Sequence, residues 1–139
     1  MLITRETDYA IRVVRALHRG GQLSAREIAE RENMQQAITY KMLRKLYKAG
    51  VVESRRGVEG GYILTRPIDK LYLYDLFDAL NEEMLLTECL EPGYNCANNQ
   101  EGTCAVHREL SRIQKIIEAE MKRHPLSELL KAANEDGKQ

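Results

Sequence analysis

Three thiols and an imidazole stand close together in one segment of the chain: Cys89, Cys96, Cys104 and His107, in the pattern C-x6-C-x7-C-x2-H. Thiolate sulfur and imidazole nitrogen are ligands for zinc and iron. A structural zinc site is ordinarily built from paired C-x2-C half-sites, and here only Cys104 and His107 are tightly spaced, at a separation that one helix turn can place on one face. An iron-sulfur cluster is held mainly by cysteine thiolates, with histidine able to replace some of them, so three thiolates and one further ligand from a long loop suit it. The cluster is the first reading, zinc the second and three unliganded thiols the third. The surroundings favour a bound cation. Between Leu71 and His107 there is no Lys or Arg against seven Asp and Glu residues, a negative field that disfavours bare thiolates.

The chain that must position these groups has 139 residues, 43% of them hydrophobic and 30% charged. That length buries roughly 68–70% of the unfolded surface, enough for one core without disulfide staples. Three cysteines are an odd count and a poor fit to a disulfide framework. No uncharged apolar stretch approaches the ~20 residues of a membrane span, and Arg5, Glu6 and Asp8 interrupt any signal-peptide core. A cytoplasmic protein without membrane contact is expected. The 21 basic and 21 acidic residues balance, but not evenly along the chain: residues 1–66 carry 13 Lys and Arg against 7 Asp and Glu, and residues 67–139 carry 8 against 14. A basic first half points to a polyanionic partner.

From Thr4, Tyr9, Ala10, Val13, Ala16 and Leu17 recur at helical intervals, with Arg12, Arg15 and Arg19 on another face and Gly20-Gly21 as the stop. Ser24-Ala-Arg-Glu27 is a capping box that opens a short second helix reaching Glu32. After Asn33 and Met34 a third helix sets Ile38, Met42, Leu43 and Leu46 against Lys41, Arg44, Lys45 and Lys48, with Gly50 as its C-terminal cap. Two short helices in tandem, the second with a basic face, predict a helix-turn-helix. Two β-prone runs, Val51–Arg56 and Tyr62–Arg66, then enclose Gly57, Gly60 and Gly61. A hairpin behind a helix-turn-helix is the wing of a winged helix. Its glycines either satisfy the turn or let the backbone approach DNA, with Arg55, Arg56 and Arg66 supplying charge. The order and charge of these elements favour double-stranded DNA over a protein partner.

In the second half, Leu71 to Leu73 read as extended and Tyr74 to Glu82 as a short helix, followed by an irregular loop over residues 84–104 that holds the cysteines. Val106, Leu110, Ile113, Ile117 and Met121 form a narrow apolar seam along a long helix, read as a dimer contact through Leu110, Ile113 and Ile117. His124-Pro125 breaks that helix, and Leu126, Leu129, Leu130 and Ala133 make a last short one. The expected fold is mainly α with a small β-hairpin wing. Its parts are a winged helix-turn-helix at 1–83 with the wing at 51–66, a cysteine loop at 84–104, a dimerisation helix and C-terminal helix at 105–135, and a disordered tail at 136–139. No nucleotide-binding glycine motif or local catalytic signature is present, so an enzyme is not expected.

The opening Leu2-Ile-Thr-Arg-Glu-Thr-Asp-Tyr-Ala10, the wing Arg56-Gly-Val-Glu-Gly-Gly-Tyr62, the segment Leu73-Tyr-Asp-Leu76 and the three-cysteine loop before a long helix resemble the Rrf2 family of winged-helix transcriptional regulators. That family includes iron-sulfur cluster regulators and nitric-oxide-sensing repressors. The resemblance implies a homodimeric repressor whose third helices enter successive major grooves and whose wings enter the minor groove, with a cluster controlling operator binding. It implies DNA contacts from Gln35, Gln36, Thr39, Tyr40 and Lys41, with Arg44 toward phosphate, from Arg56, Gly60 and Gly61 in the wing, and from Ser24 and Arg26 to the DNA backbone. For the fourth cluster ligand it offers His107 or, from the partner subunit, Asp8. The cysteine spacers of six and seven are longer than in the family's cluster regulators. A two-iron cluster with His107 is favoured over a four-iron cluster.

Overall fold

The computed structural model describes residues 4–80, 84–98 and 102–135, the last four of these as backbone only. Helix α1 (Arg5–Gly20) buries Ala10, Val13, Val14 and Leu17 along one stripe and ends where Gly21 turns at φ +73°. Helix α2 (Ala25–Glu32) starts as its sequence predicts. The Ser24 hydroxyl accepts from the Glu27 N–H at 3.2 Å, and the Glu27 carboxylate accepts from the Ser24 N–H at 2.7 Å. Those hydrogen bonds hold the Glu27 carboxyl below its ordinary range, the backbone bond from Ser24 contributing most. Asn33 then turns the chain at φ +51°, a left-handed conformation that asparagine tolerates, and its N–H caps α2 by donating to Ala29 and Glu30.

Helix α3 (Gln36–Lys48) packs Met42, Leu43 and Leu46 against α1 and α2. Burying side chains of this size contributes roughly 1.5–3 kcal/mol each. A buried ion pair adds direction to the apolar contact. Arg15 of α1 donates to both carboxylate oxygens of Glu32 at 3.1 and 3.2 Å, which raises the Arg15 pKa and fixes the end of α2 on α1.

Strands β1 (Val52–Arg55) and β2 (Gly61–Leu64) form an antiparallel hairpin with Val52 opposite Leu64 and Arg55 opposite Gly61. Leu23 joins its edge through two hydrogen bonds with Tyr62, at 2.7 and 3.1 Å. A Cβ on Gly61 would stand 2.6 Å from the Leu23 carbonyl oxygen, so this close approach needs glycine.

The second half differs from its sequence reading in two places. Before the fourth helix the chain makes a single 3-10 turn at Ile68–Lys70, Tyr72 is extended and bridges Pro125, and helix α4 covers Leu73–Ala79. Asp75 accepts from the Tyr72 N–H at 2.8 Å, which starts α4 one residue earlier than periodicity suggests. Helix α5 (Ala105–Met121) is long, as expected, and helix α6 (Leu126–Glu135) returns to the first half. There Leu126 and Leu130 join the same core as Leu71 and Leu76, and the Leu126 N–H donates to the Leu71 carbonyl at 2.7 Å. The α6 helix therefore completes the winged-helix core. The expected end of the fourth helix at Glu82, the boundary at residue 83 and the tail at 136–139 lie outside the described residues. The architecture is a mainly helical winged helix-turn-helix.

Candidate nucleic-acid interface and cysteine pocket

One face of α3 is open to solvent. Gln35 at its N-cap and Gln36, Tyr40, Lys41 and Arg44 along it are exposed, and Tyr47 continues the row at 55% exposure. Thr39 corrects an expectation. It lies on the side of Leu43 and Leu46 at 0% exposure, and its hydroxyl donates to the Gln35 carbonyl at 3.1 Å. A side chain so placed supports the first turn of α3 and cannot meet a base edge. Ser24 spends its hydroxyl on the α2 cap, and Arg26 is exposed and paired with Glu30 at 2.9 Å.

The wing projects beside this face. Val58 stands free at its tip, and Arg56 is exposed and makes no ion pair among the described residues. A Cβ on Gly60 would meet the Arg55 and Gly57 carbonyl oxygens at 2.7 and 2.8 Å. Both Gly60 and Gly61 are thus required by the hairpin's own packing, the simpler of the two roles open to them. Between α3 and the wing a cavity of about 220 Å³ is lined by Leu43, Arg44, Tyr47, Ser54 and Tyr62.

The cysteines share a pocket built from the loop and the start of α5. Cys89, Cys96, Cys104 and His107 line a single pocket of about 430 Å³, with Glu91, Tyr94 and Leu110 in its wall. Cys89 sits in a short 3-10 turn, and Cys104 is the N-cap of α5, its sulfur accepting from the His107 N–H at 3.4 Å. All three thiols are free and partly exposed. The donor set suits an iron-sulfur cluster or zinc, and among the described residues no Lys or Arg lines the pocket to compete with a metal. Among the described residues no three such side chains stand close enough together to hold an ion. Ligation therefore requires the loop to tighten. Asp8 lies elsewhere, exposed on α1 and paired with Arg12 at 2.9 Å.

Helix α5 carries an unsatisfied seam. Leu110, Ile113 and Ile117 are only half-buried, Val106 is 65% and Ile116 49% exposed, and the one buried residue of the helix is Gln114.

Comparison with known proteins places this geometry. The profile of the Rrf2 family, described as an iron-dependent transcriptional regulator, matches residues 3–132. The chain belongs to the Rrf2 family. A Haemophilus influenzae protein provisionally named an HTH-type transcriptional regulator is 32% identical over 137 residues, covering 96% of this chain and 89% of that protein. Protein aau3 of Rhizobium meliloti is 33% identical over 95 residues, 67% of this chain, and the match spans only 62% of that relative's length. Two solved structures share the fold. IscR of T. potens has a TM-score of 0.69 at 24% identity, covering 99% of this chain and 91% of that one. CymR of B. subtilis, the global cysteine regulator of that organism, has a TM-score of 0.70 at 23% identity, covering 94% of this chain and 96% of that one.

This Rrf2 protein is a DNA-binding transcriptional regulator, as its family is described and as the Haemophilus relative is named. Among the described residues no helix is long and apolar enough to cross a membrane. Two residues beyond the sequence expectations stand beside these candidate sites, Tyr47 on the exposed face of α3 and Gln114 bonded to Leu86 near the cysteine loop. Tyr47 was available from periodicity, seven positions after Tyr40 on the same face. Gln114 had no such signal, because its partners lie 28 and 30 residues away.

Proposed function

We propose that this Rrf2 protein is a homodimeric repressor in the cytoplasm whose hold on operator DNA is controlled by an iron-sulfur cluster, favoured as two-iron, ligated by Cys89, Cys96, Cys104 and His107. The observation that carries the reading is the single pocket lined by all four of those side chains at the start of α5. A bound cluster supplies thiolate–iron bonds whose making and breaking report cluster supply or oxidation. The chain's own residues do the rest. Cys104 and His107 belong to the first turn of α5, Cys89 and Cys96 to the loop, so joint ligation draws the loop onto that helix. A ligand shifts DNA binding only by its differential affinity for the two conformations.

Support for the dimer comes from α5, a helix of 17 residues that buries no apolar side chain in its own chain. Its seam of Leu110, Ile113 and Ile117 against a second copy would set the spacing of two α3 helices for a near-palindromic site. On the DNA side, Gln35, Gln36 and Tyr40 face base edges, Lys41, Arg44 and Arg56 face phosphate, and Ser24 and Arg26 approach the backbone beside α2. The iron-dependent description of the family accords with the cluster. The fold alone does not choose the signal, since IscR and CymR share it.

Replacing Cys89, Cys96 or Cys104 singly with Ala tests the reading. Each variant should lose visible absorption and bind DNA as apoprotein does. Colourless protein with stoichiometric zinc would overturn the cluster and leave DNA binding standing. His107→Ala and Asp8→Ala distinguish the fourth ligand, because only loss of the true one bleaches or destabilises the cluster. Arg44→Ala and Arg56→Ala should each flatten the salt dependence of log affinity by roughly one unit.

A further inference from the structure

The face of α3 read above as DNA-facing carries a carboxylate from another helix. Glu6, in the first turn of α1, reaches across to α3 and pairs one oxygen with the Lys41 ammonium and the other with that of Lys45, at 2.5 Å for Lys45. The lysines lie one helix turn apart, so a single carboxylate spans both. Hydrogen bonds from Lys41 first and Lys45 second hold the Glu6 carboxyl below its ordinary range, so Glu6 is ionised at neutral pH. Arg44, between them in sequence, makes no ion pair among the described residues. Partly exposed ion pairs of this kind contribute little to stability, about 0–1 kcal/mol, and exchange readily with other anions. Phosphate is the anion this face would meet.

We infer that Glu6 is a specificity-determining residue that occupies Lys41 and Lys45 as an internal phosphate substitute and so restrains sequence-independent attraction to DNA. Non-specific affinity rises with the number of phosphates that basic groups neutralise, each adding a slope of about −0.9 to log affinity against log salt. Two ammonium groups already neutralised from within displace fewer counterions from a duplex. Contacts to base edges do not share this penalty, so Glu6 weakens binding to arbitrary DNA more than it weakens reading by Gln36 and Tyr40. Arg44 and Arg56 remain free to position the protein. The inference rests on the DNA-facing reading of α3.

The test is binding of the full-length protein and its Glu6→Gln variant to a fluorescent duplex of random sequence across roughly 50–200 mM salt, the range in which such contacts are most sensitive. Glu6→Gln should bind roughly tenfold more tightly at the low-salt end and steepen the slope by about one to two units. Lys41→Gln together with Lys45→Gln should cost more affinity in the Glu6→Gln background than in the wild type, a non-additivity that a purely structural staple would not produce. Should Glu6→Gln fail to fold by circular dichroism, Glu6→Asp keeps the charge beside the α1 N-terminus but is one methylene too short to span both lysines. It should steepen the slope by an intermediate amount. A folded Glu6→Gln or Glu6→Asp protein with wild-type slope overturns the inference alone. Wild-type protein without salt-dependent DNA binding overturns it together with the DNA-facing reading.

Discussion

Gln114 accepts a hydrogen bond from the Leu86 N–H at 3.0 Å, and this one contact ties the root of the cysteine loop to the middle of the long helix. The same side chain donates to the Met84 carbonyl at 2.7 Å and to Glu118 at 3.0 Å. A buried amide serving two backbone groups is costly to remove. Gln114→Leu should destabilise the protein by about 1–3 kcal/mol, because the half-buried backbone groups of Leu86 and Met84 lose their partners. Thermal unfolding measures the cost, and hydrogen exchange at Leu86 should quicken first. Unchanged exchange there would show that the loop is anchored elsewhere.

Ile113→Glu places a charge on the α5 seam. In a dimer that charge is buried without a partner, at a cost of several kcal/mol. Light scattering should find monomers, with weakened binding to operator-length duplexes. A dimer of undiminished affinity would reassign the seam.

Thr39 and Tyr40 are neighbours with opposite roles. Thr39→Val removes the hydroxyl bond to the Gln35 carbonyl, so stability should fall by about 1 kcal/mol with no change in the preferred DNA sequence. Tyr40→Ala, on the exposed face, should alter the preferred sequence with little change in stability. Selection from a randomised duplex pool, read beside unfolding curves, separates the two effects.

Glu27 gives the α2 cap a pH dependence of known sign. Its carboxyl titrates below the ordinary value of 4.5 in the folded protein. Its stabilising contribution is therefore complete above the unfolded value and is lost as pH falls through the folded one. Glu27→Gln should reduce the loss of stability on acidification in that window, measured by denaturant unfolding at successive pH values. Equal acid sensitivity in both proteins would assign the loss to other carboxylates.

The elements legible in the sequence were those determined by neighbours. The Ser24–Glu27 box is a contact over three residues, the hairpin follows from two β-prone runs around glycines, and the α1 stripe repeats locally. What escaped were features completed by distant partners. Thr39 shares the helical phase of Met42, Leu43 and Leu46, but its polar side chain argues against burial until the Gln35 carbonyl is seen to satisfy its hydroxyl. Leu126 and Leu130 belong to the first half's core because the chain folds back past Pro125. Glu6 finds its lysines 35 and 39 residues away. The cysteine pattern was visible by spacing, but the pocket that gathers it depends on Cys104 capping α5 and on Gln114 holding the loop's other end.

Cluster control of DNA binding is tested most directly by one paired measurement on protein purified without oxygen: its visible absorption, and its affinity for a duplex from its own upstream region before and after the chromophore is removed. Coloured protein whose affinity or sequence preference changes on bleaching, with Cys104→Ala colourless and fixed in the apo behaviour, is the expected result. Coloured and bleached protein binding the same duplex with equal affinity and salt dependence would contradict it.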